Sequence, residues 1–396
     1  MSYTLSPDQV SALRQIGAWY RAKSSPYLTL GGYAGTGKTT LIGYMRQALA
    51  DFDPDATVGF CAYTGKATRV LHDKLRTQRS MRRGDTVTTI HSLIYNTDDS
   101  RGGVHWVRKD KLERSLLVVD EASMVDEDIW RDLLAFNIPI LAVGDHGQLP
   151  PIGSSFNLMK EPQVRLEQIF RQAEDSPIIT LATSARETGI IEVGEFGAGV
   201  RKLDRAQPET GIIVEELLAG WRPGFLVLCG YNATRLKLNQ AIRALRDIES
   251  PEPVSGDVVV CLRGNRTKRI YNGMIGRVVR MQKVHADDGT VWYDAEIAVE
   301  DEEITYTGYV LAEQFGASST TSDIPLAPDG QRGDLWDFGY ALTVHKAQGS
   351  QAPAVLVFEE RFARSSEDDW RRWLYTAVTR AESSLTIVGP NPTTAD

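Results

Sequence analysis

A glycine-rich stretch near the amino terminus, GYAGTGKT from Gly32 to Thr39, has the residue types and spacing of a loop that binds phosphate groups. It stands between a short apolar run that predicts a strand and a segment that predicts a helix. Glycines let backbone N–H groups approach a phosphate closely, Lys38 brings a positive charge to the outer phosphates, and a threonine hydroxyl can bind Mg²⁺. We therefore expect an ATP site made by Gly35, Thr36, Gly37, Lys38, Thr39 and Thr40.

A pair of acidic residues, Asp120 and Glu121, directly follows the apolar run Leu116–Val119. An acid at the tip of a strand that faces the phosphate loop is the expected second Mg²⁺ ligand beside Thr39, and the adjacent glutamate can orient or deprotonate an attacking water. This pairing favours hydrolysis of ATP over transfer of phosphate to a small acceptor. The other interpretation is an acidic pair that caps a helix.

A third apolar run, Ile140–Val143, is followed by Asp145 and Gln148. We expect both residues to lie at the edge of the sheet where the γ-phosphate is bound. Gln148 is the candidate to sense that phosphate and to relay its loss. Taken alone, the pattern is equally typical of an ordinary Gly-Asp turn. The two preceding motifs are what favour a role at the γ-phosphate.

Apolar runs alternate with segments that predict helices, which is typical of a parallel, doubly wound sheet with its chemistry at the carboxyl ends of the strands. The opening helix is predicted to begin at Pro7, with Ser6 as its cap. Further helices are predicted at Lys66–Leu75 and Asp126–Phe136. A second set of apolar runs predicts a second α/β domain, with strands at Phe225–Cys229, Ala354–Phe358 and Leu385–Val388.

Two segments interrupt this alternation. Residues 97–113 combine a turn with a short alternating strand, which indicates a small hairpin. Residues 256–335 are rich in predicted strands that turn-forming residues separate, which indicates a small antiparallel barrel inserted into the second domain.

Composition limits the class of protein. The chain has 396 residues, lacks the layout of a signal peptide or a membrane span, and has three widely spaced cysteines and six histidines without metal-ligand spacing. We expect a cytoplasmic protein without disulfides or structural zinc. The net charge of −8 argues against a broad basic face. A protein that follows one nucleic-acid strand, however, needs only a local basic groove.

The ordered motifs GYAGTGKTT, CAYTGKAT, TTIHSL, VVDEASMV, VGDHGQLPPI, LEQIFRQ, YALTVHKAQGS and LYTAVTRA resemble those of superfamily-1 helicases. The resemblance extends from about residue 5 to residue 382 and is strongest to the RecD-like branch, which includes the small phage Dda helicase and the Pif helicases. It implies two RecA-like domains with ATP between them and single-stranded DNA across their tops. It also implies a small hairpin insertion in the first domain and an SH3-like β-barrel in the second.

The resemblance assigns domain bounds and individual roles. It implies a first domain at 1–161 with a wedge hairpin at about 97–113, a second domain at 162–255 and 336–396, and the SH3-like insert at 256–335. Gln9 matches a glutamine that reads adenine, and Arg171 and Arg380 match arginines that reach the γ-phosphate. Gly349 lies where the DNA and nucleotide sites are linked.

The residues that match strand-binding motifs are Thr64, Lys66, Thr88 and His91 in the first domain and Thr343, His345 and Lys346 in the second. His105 and Trp106 stand where relatives carry the wedge hairpin, and Trp106 is a candidate to stack on the last base pair. The alternation of Trp106 with Val104 and Val107 is equally suited to a small core. That alternative stays open.

The resemblance implies an ATP- and Mg²⁺-dependent DNA helicase that moves along single-stranded DNA, 5′ to 3′ by analogy with the branch. It further implies a monomeric motor without extra terminal domains, as in phage enzymes, that acts on forked DNA, with replication or recombination proteins as partners. Two alternatives keep every motor motif: a translocase that displaces proteins and unwinds weakly, and an RNA motor. A metabolic phosphate-loop enzyme would not need LTVHKAQGS or a second domain.

Overall fold

Parallel β-sheets with helices between their strands form most of the structure, a computed structural model that describes residues 5–98, 105–150, 156–169, 176–265, 267–300 and 304–392. The chain divides into two compact units. The first comprises Met1–Asn96, Val107–Thr188 and Arg371–Thr379, and the second comprises Thr97–Trp106, Gly189–Trp370 and Arg380–Asp396.

The first unit is built on a six-stranded parallel sheet in the order β3-β2-β6-β7-β1-β8. Its strands are β1 (Tyr27–Gly32), β2 (Val58–Ala62), β3 (Thr86–Thr89), β6 (Leu116–Asp120), β7 (Ile140–Gly144) and β8 (Val164–Leu166). Its helices are α1 (Pro7–Ala22), α2 (Lys38–Phe52), α3 (Gly65–Thr77), α4 (Ile90–Ile94), α5 (Glu127–Leu134) and α6 (Pro177–Thr188). Between β3 and β6, the short strands β4 (Tyr95–Asp98) and β5 (His105–Arg108) form a two-stranded sheet.

The second unit contains a six-stranded sheet in the order β17-β11-β18-β19-β10-β9, parallel except for the β9–β10 pair. The strands are β9 (Gly194–Gly197), β10 (Val200–Asp204), β11 (Phe225–Cys229), β17 (Ala341–Thr343), β18 (Ala352–Phe358) and β19 (Ala381–Gly389). The helices are α7 (Pro208–Ala219), α8 (Asn232–Ala244) and α9 (Glu367–Val378), and α9 continues from the second unit into the first.

A separate five-stranded antiparallel sheet interrupts the second unit. Its strands are β12 (Val258–Cys261), β13 (Ile275–His285), β14 (Val291–Val299), β15 (Thr305–Leu311) and β16 (Trp336–Phe338), in the order β15-β14-β13-β12-β16. Val259, Ile297 and Trp336 belong to its buried core. An antiparallel sheet therefore lies where the sequence predicts a β insert, and its SH3-like character stays a prediction.

Local chemistry explains where the first helix begins. The Ser6 hydroxyl accepts a hydrogen bond from the Gln9 N–H, and the Gln9 side chain accepts one from the Ser6 N–H. Pro7, at the first helical position, has no N–H that would need a partner. The predicted cap and start of α1 are thus present, and this cap also fixes the orientation of Gln9.

The first unit extends beyond residue 161, where the sequence analysis ends the first domain. Strand β8 pairs with β1 through Leu30 and Val164, and α6 carries the unit on to Thr188. The apolar run in β8 is only three residues long, so its alternation carries no visible signal in the sequence.

Candidate active site

The first sheet brings three of the predicted chemical groups to one edge. Leu30 of β1 pairs with Val143 of β7, and Ala62 of β2 pairs with Asp120 of β6. The phosphate loop, Asp120 and the segment after β7 therefore all leave the sheet at its carboxyl edge. This is the place where parallel α/β sheets bind ligands.

The phosphate loop has the backbone conformation that its glycines permit. Gly35 and Gly37 have φ values of 81° and 77°, and Gly37 caps the amino terminus of α2 without a side chain. Free N–H groups at a helix amino terminus attract anions. The ammonium of Lys38, in the first turn of α2, donates to the carbonyls of Gly32 at 2.7 Å and Tyr33 at 3.0 Å. The loop therefore holds its own lysine in place.

The acidic residues after β6 lie where the motif predicts. The Thr39 hydroxyl is 3.5 Å from a carboxylate oxygen of Asp120. Burial and, to a smaller extent, the neighbouring Glu121 carboxylate raise the pKa of Asp120 to about 7. Glu121 adopts the left-handed conformation with φ 53°, which is uncommon for a residue other than glycine and is frequent at functional sites. Its buried Oε2 atom has no hydrogen-bond partner among the residues that the structure describes.

Asp145 joins the phosphate loop to the segment after β7. Its side chain is 1% exposed and lies 3.6 Å from the ammonium of Lys38. The same carboxylate accepts hydrogen bonds from the Gly147 N–H at 2.9 Å and from the Tyr375 hydroxyl at 2.7 Å. A buried carboxylate is costly unless it is paired and hydrogen-bonded, so these three donors fix its position. Gln148, 7% exposed, lies on the same turn.

The last part of α9 binds this edge through three side chains. The Tyr375 hydroxyl accepts a hydrogen bond from the Ala34 N–H of the phosphate loop at 2.6 Å while it donates to Asp145. The Thr376 hydroxyl accepts from the Leu149 N–H at 3.0 Å, and Arg372 donates to the His146 carbonyl at 2.8 Å. The sequence motifs alone do not identify these residues as part of the phosphate site, although Tyr375 and Thr376 lie inside the motif LYTAVTRA. Their position five and four residues before Arg380 was the available signal.

Gln9 is completely buried and lies against the phosphate loop. Its amide nitrogen donates to the Thr36 carbonyl at 2.9 Å, and its amide oxygen accepts from the Ser6 N–H. Gln9 therefore ties the start of α1 to the loop, and a role in reading adenine stays a prediction. Arg171 lies outside the described residues, as do the side chains of His105 and Trp106.

The predicted strand-binding residues of the first unit lie at the same carboxyl edge. Thr64 caps α3 by accepting from the Ala67 N–H, and Lys66 is in the first turn of that helix. Thr88 is half-buried near the end of β3. His91 is only 2% exposed and lies between the rings of Tyr63 and Tyr95, at 5.8 and 6.0 Å.

The burial of His91 limits what its ring can touch. A ring with this exposure supports the loop more readily than it contacts a ligand directly. A direct contact between His91 and DNA stays a prediction.

In the second unit, Thr343 ends β17, and His345 and Lys346 follow it. The Lys346 ammonium donates to the Leu262 carbonyl at 3.3 Å and to the side chain of Asn272. Burial lowers the pKa of Lys346 to about 8, an effect that Cys261 opposes and Arg235 adds to, and burial also lowers the pKa of His345.

The other predicted residues of the second unit lie in two turns. Gly273, in the turn beside this motif, has a φ of 90°, which favours glycine, and a Cβ atom there would lie 3.3 Å from the Lys346 carbonyl. Gly349 has a φ of 74°, which also suits glycine. Arg380 is 2% exposed, and its guanidinium donates to the Ser350 carbonyl.

Together, the parallel sheet, the glycine loop with Lys38 and the acidic strand tip define a phosphate-loop nucleotide-binding domain. A family model described as an AAA domain matches residues 4–203, and one described as a UvrD-like helicase C-terminal domain matches residues 338–388. The chain therefore belongs to the AAA domain family.

Two relatives illustrate this similarity. The chain is 30% identical to the ATP-dependent RecD2 DNA helicase of Deinococcus radiodurans over 97% of its own length and 49% of the relative's. It is 29% identical to the ATP-dependent DNA helicase dda of Enterobacteria phage T4 over 40% of this chain and 38% of that protein. The chain thus spans about half, or less, of these relatives, and the RecD2 match extends over more of it than the dda match.

A solved structure of Pif1 helicase from Bacteroides, in complex with ADP-AlF3 and ssDNA, is also similar. It is 17% identical to the chain, with a TM-score of 0.47, and the match covers 98% of this chain and 92% of that one. Among the described residues, no helix has both the length and the apolar character needed to span a membrane.

Tyr375→Phe tests the link between α9 and the phosphate loop. Losing a hydrogen bond to a charged group costs about 1.5–3 kcal/mol, and about 1.4 kcal/mol corresponds to a tenfold change in rate. We expect the kcat of ATP hydrolysis to fall at least about tenfold, with a smaller change in KM, because Asp145 and Ala34 lose the same partner. Steady-state ATP hydrolysis measures both constants.

Tyr20→Phe is the matched control, because its hydroxyl also donates to a carboxylate, that of Asp53 at 3.0 Å, but away from the phosphate loop. The control should keep the wild-type kcat. An unchanged kcat in Tyr375→Phe, or an equal loss in both variants, would show that the Tyr375 hydroxyl does not position the site.

Proposed function

We propose that the protein is an ATP-dependent DNA helicase that moves along single-stranded DNA and couples ATP hydrolysis to strand separation. The observation that carries this proposal is the carboxyl edge of the first sheet, where Lys38, Thr39, Asp120, Glu121 and Asp145 converge. A phosphate loop beside two strand-end acids is suited to hydrolysis. The two curated relatives are both named as ATP-dependent DNA helicases, which supports DNA as the partner.

The side chains present fit ATP with Mg²⁺. The Thr39 hydroxyl and the Asp120 carboxylate are oxygen donors, the ligands that Mg²⁺ prefers, and the raised pKa of Asp120 is that of a buried carboxylate suited to a cation partner. Bound Mg²⁺ would neutralise phosphate charge during hydrolysis. We propose Thr39 and Asp120 as its ligands and the residues from Gly35 to Thr40 as the phosphate cradle.

The roles of the catalytic residues follow from their positions. Lys38 holds its ammonium at the mouth of the loop, where it can balance charge on the outer phosphates. Glu121, with an unsatisfied carboxylate oxygen, orients a water for attack and accepts its proton. Gln148 reports the state of the γ-phosphate. Arg171 and Arg380 are proposed to stabilise charge on the transferred phosphoryl group, as arginine fingers do.

DNA binding is proposed for the two groups of motif residues already described, with His105 and Trp106 on the β4–β5 sheet as the wedge. Hydroxyls, backbone amides and a few cations are suited to tracking phosphates. The antiparallel insert is proposed to be SH3-like and to help hold the strand. The 5′-to-3′ direction and the arrangement as two RecA-like domains are proposed by analogy with the RecD-like branch. A translocase with weak unwinding and an RNA motor remain the alternatives.

ATP hydrolysis with and without single-stranded DNA tests the motor. We expect strong stimulation by DNA, because strand binding and hydrolysis share one cycle. Glu121→Gln keeps the size of the side chain but cannot accept a proton, so it should lower the stimulated rate by at least about a hundredfold. A rate that is indifferent to DNA in the wild type would leave an ATPase and reject the motor. Matched RNA strands test the RNA alternative.

Lys346 predicts a specific pH dependence of strand binding. Only the charged ammonium attracts a phosphate, and its pKa of about 8 in the free protein means that the charge is present below pH 8 and lost above it. One unit above a pKa, about nine-tenths of the group is deprotonated, so affinity for single-stranded DNA should fall by up to about tenfold between pH 7 and 9.

Fluorescence anisotropy with labelled single-stranded DNA measures this dependence. Lys346→Arg is the matched variant, because a guanidinium stays charged over the whole range. Its binding curve should be nearly flat with pH. Equal pH dependence in both proteins would assign the effect to another group.

A further inference from the structure

The segment Gly65–Gly84, here called the basic segment, concentrates positive charge in an acidic protein. It contains seven Lys or Arg residues and one acid, Asp73, for a formal charge of +6. Because the whole chain carries −8, the rest of it carries −14. A polyanion that is repelled by most of the surface would thus be attracted to this segment.

Five of these cations face solvent and form no ion pair with the residues that the structure describes. They are Lys74, Arg76, Arg79, Arg82 and Arg83, all within residues 74–83 of the basic segment. Among the described residues, no carboxylate lies within ion-pair distance of these five side chains. The Arg82 guanidinium donates to two carbonyls of its own loop, those of Arg79 and Met81. The five charges are therefore available to a ligand.

Topology places these cations at the edge of the sheet opposite to the phosphate loop. Helix α3 begins after the carboxyl end of β2, near Thr64, and runs 13 residues, about 20 Å at 1.5 Å per residue. The loop that follows enters β3 at Thr86, which pairs with Gly59 near the start of β2. The loop that carries Arg79, Arg82 and Arg83 thus enters β3 from the amino edge, at the end of α3 that is distant from Thr64. The Gln78 side chain beside this loop donates to the Thr40 carbonyl at 3.1 Å.

A buried ion pair fixes this loop. Arg46 and Asp85 have no exposed side-chain area and contact each other at 2.8 Å. Asp85 also accepts hydrogen bonds from the Val58 N–H at 3.0 Å and the Arg82 N–H at 2.8 Å. The Asp85 carboxylate bonds to α2, to β2 and to the loop that follows α3. That loop therefore holds its arginines on an ordered backbone.

The chemistry of the basic segment fits the backbone of double-stranded nucleic acid. Guanidinium groups bind phosphates in a bidentate fashion, and phosphate contacts provide most of the affinity for a duplex. Binding of single strands usually adds aromatic side chains that stack on bases. Between Tyr63 and Tyr95 the sequence has no Phe, Tyr or Trp. The segment can therefore contact phosphates but offers no aromatic ring for bases.

We propose that the exposed cations from Lys74 to Arg83 in the basic segment form a second nucleic-acid site, which binds the phosphate backbone of duplex DNA at the amino edge of the first sheet. The inference rests on the proposed helicase function, for which the duplex of a fork is the natural occupant. Holding the duplex there keeps the unopened part of the fork on the protein while the carboxyl edge acts on the single strand.

Binding of a blunt-ended duplex, without single-stranded tails or nucleotide, tests the site. The affinity of the wild-type protein should fall steeply with salt. The triple variant Arg76→Gln, Arg79→Gln, Arg83→Gln removes three phosphate contacts, so the slope of log affinity against log salt should become shallower by about 2–3. At low salt its affinity for the duplex should be at least about tenfold lower.

The matched control is Lys160→Gln, Arg222→Gln, Lys237→Gln, three exposed cations outside the segment. Both triples change the net charge from −8 to −11, so a difference between them reports position rather than total charge. Hydrolysis stimulated by single-stranded DNA, measured on the same preparations, should be equal in all three proteins and tests the motor separately.

Three results would overturn the proposal. The wild-type protein could fail to bind the duplex in a salt-dependent manner, or the two triples could lose the same affinity. The basic-segment triple could also lose affinity for single-stranded DNA as strongly as for the duplex, which would identify a general strand contact. All three proteins could lack hydrolysis stimulated by single-stranded DNA and still bind the duplex as predicted. That result would reject the proposed motor function but would support the duplex-binding site.

Discussion

The buried carboxylate of Asp145 is the interaction on which the phosphate-binding edge depends. With 1% of its side chain exposed, it has almost no water to stabilise its charge, and Lys38, Gly147 and Tyr375 supply that stabilisation instead. Removing one partner of such a buried group leaves uncompensated charge, which is costly. The phosphate loop, the turn after β7 and α9 are therefore held by one group.

The segment of α9 that bonds to the phosphate loop lies where the chain passes from the first unit to the second. Residues 371–379 belong to the first unit, whereas Arg380 and the strand β19 that follows belong to the second. The chain thus leaves the first unit directly after the segment that bonds to the phosphate loop. A change at the nucleotide edge that altered the Tyr375 contacts would act on the backbone that leads to Arg380, the proposed arginine finger.

Much of this could be predicted from the sequence because its signals are local. Strands Val58–Ala62 and Phe225–Cys229 are buried on both faces, so they read as continuous apolar runs and end where predicted. Ser6 and Pro7 predict the start of α1 because a helix cap and a proline in the first turn are also local signals. The phosphate loop and the acids after β6 have fixed spacing, and the structure brings them together.

Contacts that join distant parts of the chain could not be predicted. The bond from Tyr375 to Ala34 spans 341 residues, and no periodicity records it. Strand β8 was missed because three residues are too few for a pattern. The burial of His91 was missed because its neighbours Tyr63 and Tyr95 come from different elements. The sequence shows that the basic segment is rich in Lys and Arg, but only the strand register shows that its loop lies at the amino edge of the sheet.

Strand separation on forked duplexes tests the central claim most directly. The substrates are a fork with only a 5′ single-stranded tail and one with only a 3′ tail, each incubated with the protein and ATP and followed by release of a labelled strand. We expect separation of the 5′-tailed fork, dependent on ATP hydrolysis and absent in Glu121→Gln. Hydrolysis stimulated by single-stranded DNA without separation of either fork would contradict it and indicate a translocase.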